Sequence, residues 1–194
     1  HRAALRLPGR RTGPDPMNPP AGLRVLLLGA TGTIGQATAQ ALRRQGHSVV
    51  CLVRPRSGVG GRLDASAAAA LLPGCTVRTG DPTQAGSVLR DGMAGERFDA
   101  LVTCMASRTG APADAWAIDA GATQQAVQAA QAGGVPQMVM LSALCVQKPL
   151  LAFQQAKLAL ERELMGSGLT WSIVRPTAFF KSLAGQVARV QQGK

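Results

Sequence analysis

From Arg24 onward, short runs dominated by Val and Leu alternate with longer segments whose apolar positions recur every three to four residues. That alternation predicts strand–helix–strand units building a parallel sheet. Strands are expected at Arg24–Leu28, Ser48–Val53, Cys75–Arg78, Asp99–Cys104, Gln137–Ser142 and Thr170–Val174. Helices are expected at Ile34–Gln45, Leu63–Leu72, Gln84–Asp91, Asp114–Ala132, Leu150–Met165 and Ala178–Gln192. The strand runs are apolar at consecutive positions, as in strands covered on both faces. The fold class is therefore α/β, a doubly wound parallel sheet of about six strands with helices on both faces. Gly46, Gly133 and Gly166 are expected to end three of the helices in the left-handed conformation.

The first 22 residues break this pattern. Pro8, Gly9, Gly13, Pro14, Pro16, Pro19 and Pro20 occur without periodicity, which predicts a disordered Pro/Arg-rich leader over 1–22 ahead of one domain over 23–194. Met17 stands just before the first strand, where a natural start would fall. There is no internal repeat of the 20–50-residue kind, and no second domain is expected.

Composition narrows the function classes. The 194 residues suffice for one core, and the net charge of +11 raises nucleic acid as a partner. Arg2, Arg6, Arg10 and Arg11 against Asp15 place +3 of that charge in the first sixteen residues, and the remainder is scattered. No aromatics interleave with the basic positions as on a stacking platform, so no nucleic-acid partner is expected; a basic surface that attracts anionic cofactors or substrates accounts for the charge. Cys51, Cys75, Cys104 and Cys145 lie too far apart for a zinc or redox motif, so no metal is expected and the thiols read as small hydrophobes. No apolar stretch reaches the about 18 to 20 residues of a membrane span.

Candidate chemistry begins after the first strand, in Leu28-Gly29-Ala30-Thr31-Gly32-Thr33-Ile34-Gly35. Three glycines between a buried strand and a helix suit a dinucleotide: Gly29 for the tight turn, Gly32 for close approach of a pyrophosphate, Gly35 for packing of helix on strand. Thr31, Thr33 and Ile34 belong to the same turn. This is a Rossmann-type signature. The second strand ends at Val53-Arg54-Pro55-Arg56-Ser57, with Arg54 where an NAD enzyme usually carries an acidic residue for the ribose 2′-hydroxyl. A guanidinium there fits a 2′-phosphate and favours NADPH, with Arg56 and Ser57 assisting; the plainer reading is a solvated basic loop. Asp81, after the third strand, either meets the adenine side of the cofactor or caps the next helix. After the fourth strand, Cys104, Ala106, Ser107 and Arg108 are expected near the nicotinamide half.

Ser142 ends the fifth strand, and Phe153-Gln154-Gln155-Ala156-Lys157 follows eleven residues later on a helix. This resembles the Ser plus Tyr-x-x-x-Lys arrangement of short-chain dehydrogenases, with Phe153 where the tyrosine acid stands; Tyr is absent from the chain altogether. Phe cannot donate a proton, which removes ordinary alcohol–ketone chemistry by that acid. Lys157, one turn on, faces the side of Phe153 and suits ribose hydroxyls. The alternatives are core packing for Phe153, a strand-end cap for Ser142 and a solvated helix face for Lys157. Val174-Arg175-Pro176-Thr177 resembles the Arg-Pro segment that follows strand six in that superfamily and passes the nicotinamide; Phe179 and Phe180 beyond it suit either the site or the core.

Three longer runs carry a closer resemblance: Cys104–Arg108, Leu141–Leu151 continuing into Phe153–Leu158, and Ile173–Leu183. They are similar to the NADPH-dependent divinyl chlorophyllide 8-vinyl reductases, atypical short-chain reductases that also carry Phe in place of Tyr. The resemblance runs from about Arg24 to Lys194. It implies NADPH as cofactor, a tetrapyrrole substrate whose 8-vinyl group is reduced to ethyl in (bacterio)chlorophyll biosynthesis, and a catalytic set of Lys157, Ser142 and Phe153. It implies a proton from water, Lys148, Lys181 or a residue outside the chain, and pigment carboxylates near Arg108, Lys148 or Lys181. It further implies a substrate lobe continuing beyond residue 194. A bacterial cytoplasm, beside photosynthetic membranes, is the expected compartment, with the chloroplast as the alternative. Two other functions stay open: another atypical NADP(H) reductase of a C=C or C=O bond, and a non-catalytic NADP-sensing regulator.

Overall fold

The computed structural model describes residues 22–57, 61, 63–107, 111–177 and 187–193. Six parallel strands, β1 (Arg24–Leu28), β2 (Ser48–Val53), β3 (Thr76–Thr79), β4 (Ala100–Thr103), β5 (Gln137–Leu141) and β6 (Thr170–Val174), form one sheet in the order β3-β2-β1-β4-β5-β6. The order reverses between β1 and β4, so the chains leaving these two neighbours diverge and open a crevice beyond their carboxyl ends. Leu28 lies level with both Leu52 and Thr103, so β1, β2 and β4 reach that edge together.

The unbroken apolar runs are explained by two cores. Leu26, Leu28, Val50, Leu52 and Leu101 face one layer with Met138, Met140, Leu160 and Leu164; Val25, Leu27, Val49, Cys51, Val53 and Val102 face the other with Ala39, Ala68 and Leu72. Neighbouring residues of a strand thus serve opposite layers. Each fully buried aliphatic side chain contributes roughly 1.5–3 kcal/mol, so both faces must be covered for the sheet to persist.

The helices are α1 (Thr33–Arg44), α2 (Ala65–Ala70), α3 (Val88–Met93), α4, α5 (Ala152–Gly166) and α6 (Val187–Gln191). The α3 segment is a π-helical turn that begins later than the expected Gln84–Asp91. The run α4 opens over Pro112–Asp114, widens to π geometry over Ala115–Ala122 and returns to α over Thr123–Ala132.

Several expected boundaries move for local reasons. The Asp64 carboxylate accepts from the Ala67 N–H at 2.8 Å, so α2 starts at Ala65 rather than Leu63. Strand β5 stops at Leu141, which leaves Ser142 just beyond it. Gly46 is left-handed at φ 84°, as expected, but Gly133 is right-handed at φ −82° and the reversal falls on Gly134 at φ 65°. Gly166 still belongs to α5, and the left-handed residue is Gly168 at φ 79°. In both cases the last turn winds further before a left-handed residue releases the chain. Of the leader expected over 1–22 only Gly22 is among the described residues, and residues 178–186 of the last expected helix lie outside them. Among the described residues no helix is long and apolar enough to cross a membrane.

Candidate functional site

Beyond β1 the chain turns at Gly29, whose φ of 77° disfavours any L side chain. An added Cβ there would stand 2.7 Å from the Cys104 carbonyl carbon, so β4's exit also excludes one. The Gly32 N–H donates to Gly29 O at 3.1 Å, and the Gln36 side-chain amide donates to Thr31 O at 3.0 Å, bracing the turn. Gly35, in the first turn of α1, lies so close behind that a Cβ would come within 2.1 Å of Gly29 O. Gly32 is the opposite case, since a Cβ there would find only Gly29 O, at 3.4 Å. The first turn of α1 carries no acidic residue and Gly32 gives it no capping side chain, so the positive end of the helix is aimed at the crevice for an anion.

The crevice is a cavity of about 530 Å³. Its floor is Gly29–Ile34; Arg54, Arg56 and Ser57 after β2 and Thr83 after β3 form one end, and Cys104–Ser107 after β4 with Leu141 form the other. Ile118 and Ala122, four residues apart on the π-helical part of α4, complete the described lining. Gly29, Thr31, Gly32, Thr33, Ile34, Arg54, Cys104 and Ala106 are thus brought to one cavity, with Gly35 behind the turn. Among the described residues no acidic side chain lines it, and the guanidinium groups of Arg54 and Arg56 do. Ser57 and Leu63 exchange N–H···O bonds of 2.8 and 3.0 Å, which holds Ser57 in place beside Leu63. Asp81 does not line the cavity: its Oδ1 accepts from the Thr83 N–H at 3.0 Å and the Thr83 hydroxyl at 2.8 Å, shaping the turn that presents Thr83. Burial pushes the Cys104 thiol up, against weaker downward pulls from the Thr38 hydroxyl and the Lys157 charge, so it stays a neutral thiol at the wall.

Of the remaining expected residues, Ser142, Phe153, Lys157, Arg175, Pro176 and Thr177 do not line the cavity. Lys157 is buried, which overturns the reading of a solvated helix face. Its ammonium donates to Met105 O at 2.9 Å and Leu141 O at 3.0 Å, bridging the ends of β4 and β5, both of which line the cavity. The buried Ser142 hydroxyl donates to Glu161 on α5. Arg175 grips the same carboxylate with two nitrogens, Nε donating to Oε1 at 2.9 Å. Burial pushes the Glu161 carboxyl up, but the hydrogen bonds from Arg175 and Ser142 outweigh it and hold the group below the usual carboxylate range. Backbone bonds from Ser142 N–H to Val174 O at 2.8 Å and from Leu144 N–H to Pro176 O at 3.0 Å join the exits of β5 and β6. Phe153 is half-buried, and Thr177 is exposed. Arg108, Phe179, Phe180 and Lys181 lie outside the described residues.

Sequence reasoning missed Glu161, Ile118 and Ala122. A signal for Glu161 existed: it shares the buried stripe of α5 with Ala156, Lys157, Leu160 and Leu164, and an acidic residue there demands a cationic partner. The cavity walls formed by Ile118 and Ala122 depend on π geometry that no apolar pattern announces.

A parallel sheet with this strand order, a glycine turn open towards the crevice, a helix amino end and paired guanidinium groups defines a nucleotide-binding Rossmann domain suited to a nicotinamide dinucleotide. The chain belongs to the NAD(P)H-binding family, which matches it over residues 29–194. It is 46% identical over 180 residues to the chloroplastic divinyl chlorophyllide a 8-vinyl-reductase of Oryza sativa subsp. indica, covering 90% of this chain and 44% of the rice protein. To the protein of the same name from Cucumis sativus it is 43% identical over 181 residues, covering 90% of this chain and 43% of that one. The chain therefore spans less than half the length of these curated relatives. Its fold is similar to that of the Bordetella bronchiseptica enzyme WbmH, solved in complex with NAD+, at a TM-score of 0.68 and 20% identity, covering 87% of this chain and 63% of WbmH.

Proposed function

We propose that this chain is the NADPH-binding part of a reductase that converts the 8-vinyl group of divinyl (proto)chlorophyllide to ethyl. The observation that carries the reading is the pairing of Phe153 with Lys157 in a chain 46% identical to a protein named as such a reductase. NADPH, when bound, supplies the hydride for the vinyl carbon. Everything else falls to the protein. The open side of Gly32 and the amino end of α1 hold the pyrophosphate, and Arg54 with Arg56 hold the 2′-phosphate in preference to a bare ribose. Lys157, Ser142 and Phe153 shape the nicotinamide end without offering a phenolic acid. No alkoxide forms when a vinyl group is reduced, so the missing Tyr costs this reaction nothing; the proton goes to carbon, from water, Lys148, Lys181 or a residue outside the chain. Positioning of the vinyl group against the cofactor supplies most of the acceleration.

The substrate is a tetrapyrrole, with its carboxylates met by Lys148 or by Arg108 and Lys181. The exposed Leu144, Leu150 and Leu151 around Lys148 support peripheral contact with a photosynthetic membrane on this side. A bacterial cytoplasm fits the Ala- and Arg-rich composition; the plant relatives are chloroplastic by name, which favours the chloroplast. Divinyl chlorophyllide supplied to the full-length protein with NADPH should show the absorption shift of vinyl reduction, and NADH should support it poorly. No shift with either nucleotide would overturn the assignment.

A further inference from the structure

Glu161 is buried to 0% exposure on α5, one turn beyond Lys157, and faces strand exits rather than solvent. It accepts from the Ser142 hydroxyl at the end of β5 and from Nε and one terminal nitrogen of Arg175 at the end of β6. Lys157, on the same face, takes carbonyls from the ends of β4 and β5. Two adjacent turns of one helix thus fasten the exits of three consecutive strands.

We infer that Glu161 is a positioning residue for the nicotinamide half of the cofactor site: it fixes Ser142 and Arg175 from behind, so these two shape the cavity edge through Glu161 instead of meeting the reacting atoms themselves. The hydroxyl hydrogen of Ser142 is committed to a carboxylate and does not serve as a donor to substrate. Arg175 is held against α5, and what it contributes to the cofactor is the course of Pro176 and Thr177, already joined to the β5 exit through Leu144. The adenine half stands on different supports, the glycine turn after β1 and Arg54 and Arg56 after β2, none of which touches Glu161 through a described hydrogen bond. The inference rests on the NADPH reading above, because it assigns Glu161 to one end of that cofactor.

The two ends are separable by ligand. Glu161→Gln in the full-length protein keeps the shape of the side chain and removes its charge, and Arg175→Lys keeps the charge and removes the two-pronged grip. Calorimetry would use NADPH and, separately, adenosine 2′,5′-bisphosphate, which carries the adenine half alone, at a temperature where circular dichroism shows each variant folded. Either substitution is expected to raise the NADPH dissociation constant about tenfold while leaving that of the bisphosphate within twofold. If both variants bind NADPH as the wild type does and only melt earlier, Glu161 is a structural brace and the inference is overturned. An equal loss for both ligands overturns it too, because the effect is then not confined to the nicotinamide end. Should Glu161→Gln not fold, Arg175→Lys and Ser142→Ala carry the same comparison. A wild-type protein that binds neither ligand would sink the NADPH reading itself, which is a different result from a variant that loses one ligand only.

Discussion

Gly32 and Gly35 stand three residues apart in one turn, yet the geometry assigns them opposite jobs, and alanine at each should separate folding from binding. At Gly35 the new Cβ would meet Gly29 O at 2.1 Å, Ala30 Cα at 2.7 Å and Gly29 C at 2.8 Å, all backbone atoms that cannot swing aside. Overpacking of this kind costs about 3 kcal/mol, the upper end of the usual range, because helix and strand must part. A domain of this size loses roughly 2–4 °C per kcal/mol, so Gly35→Ala should melt ~6–12 °C earlier. At Gly32 the backbone is ordinary extended, φ −77° and ψ 164°, so alanine is unstrained. Losing glycine from the amino cap costs about 0.5 to 1 kcal/mol, and the stiffer unfolded chain returns about 0.4 to 1, so the melting temperature should hardly move. Binding should behave in reverse. The Gly32 Cβ projects from the cavity floor where the pyrophosphate would lie, so NADPH affinity should fall at least about tenfold, or ~1.4 kcal/mol. Thermal melting by circular dichroism and calorimetric titration with NADPH read the two effects separately. Wild-type NADPH affinity in Gly32→Ala, or a wild-type melting temperature in Gly35→Ala, would refute the division.

Two further outcomes follow from the site's charges. Arg54→Glu should raise the NADPH dissociation constant by about tenfold or more while leaving NADH unchanged or tighter, since a carboxylate repels a 2′-phosphate and accepts from a ribose hydroxyl; equal losses for both nucleotides would show that Arg54 does not read the 2′ position. The second concerns acid. Glu161 is held below its unfolded value of 4.5, so its contribution to stability is fully present above that value and is lost as pH falls through the lower folded value. Urea midpoints of wild type and Glu161→Gln should therefore differ most above pH 4.5 and draw together as the pH falls below it, and a gap that did not narrow with acid would mean that charge is not what Glu161 supplies.

Legibility in the sequence tracked how local each feature is. The bounds of β1, β2 and β6 are written in their own residues, because Val25–Leu28 and Val49–Val53 are apolar runs closed by turn residues and Thr170–Val174 stops at Arg175-Pro176. The glycine turn is equally plain, since its three glycines stand within seven residues, Gly29 to Gly35. What escaped depended on partners far along the chain. Ser142 carries two readings, a group at the reacting end and a strand-end cap, and Arg175 resembles a segment that passes the nicotinamide; in the fold both side chains meet Glu161, 19 and 14 residues away. Asp81 offered two readings of equal weight, and the hydrogen bonds it makes with Thr83 are those of a turn. The left-handed residues after α4 and α5 fell on Gly134 and Gly168 rather than Gly133 and Gly166, because neighbouring glycines compete for the role and tertiary packing chooses between them.

The widened turn of α4 gives the cavity a property its other walls lack. A π segment closes its hydrogen bonds over five residues instead of four, so each of its turns carries more of the chain than the α-helical turns that flank it. Ile118 and Ala122 sit within that segment, while the cavity floor is a glycine turn closed in by backbone atoms. One lining surface thus offers a guest bare backbone, with no room for a Cβ at Gly29 or Gly35, and another offers aliphatic side chains from the widened turn.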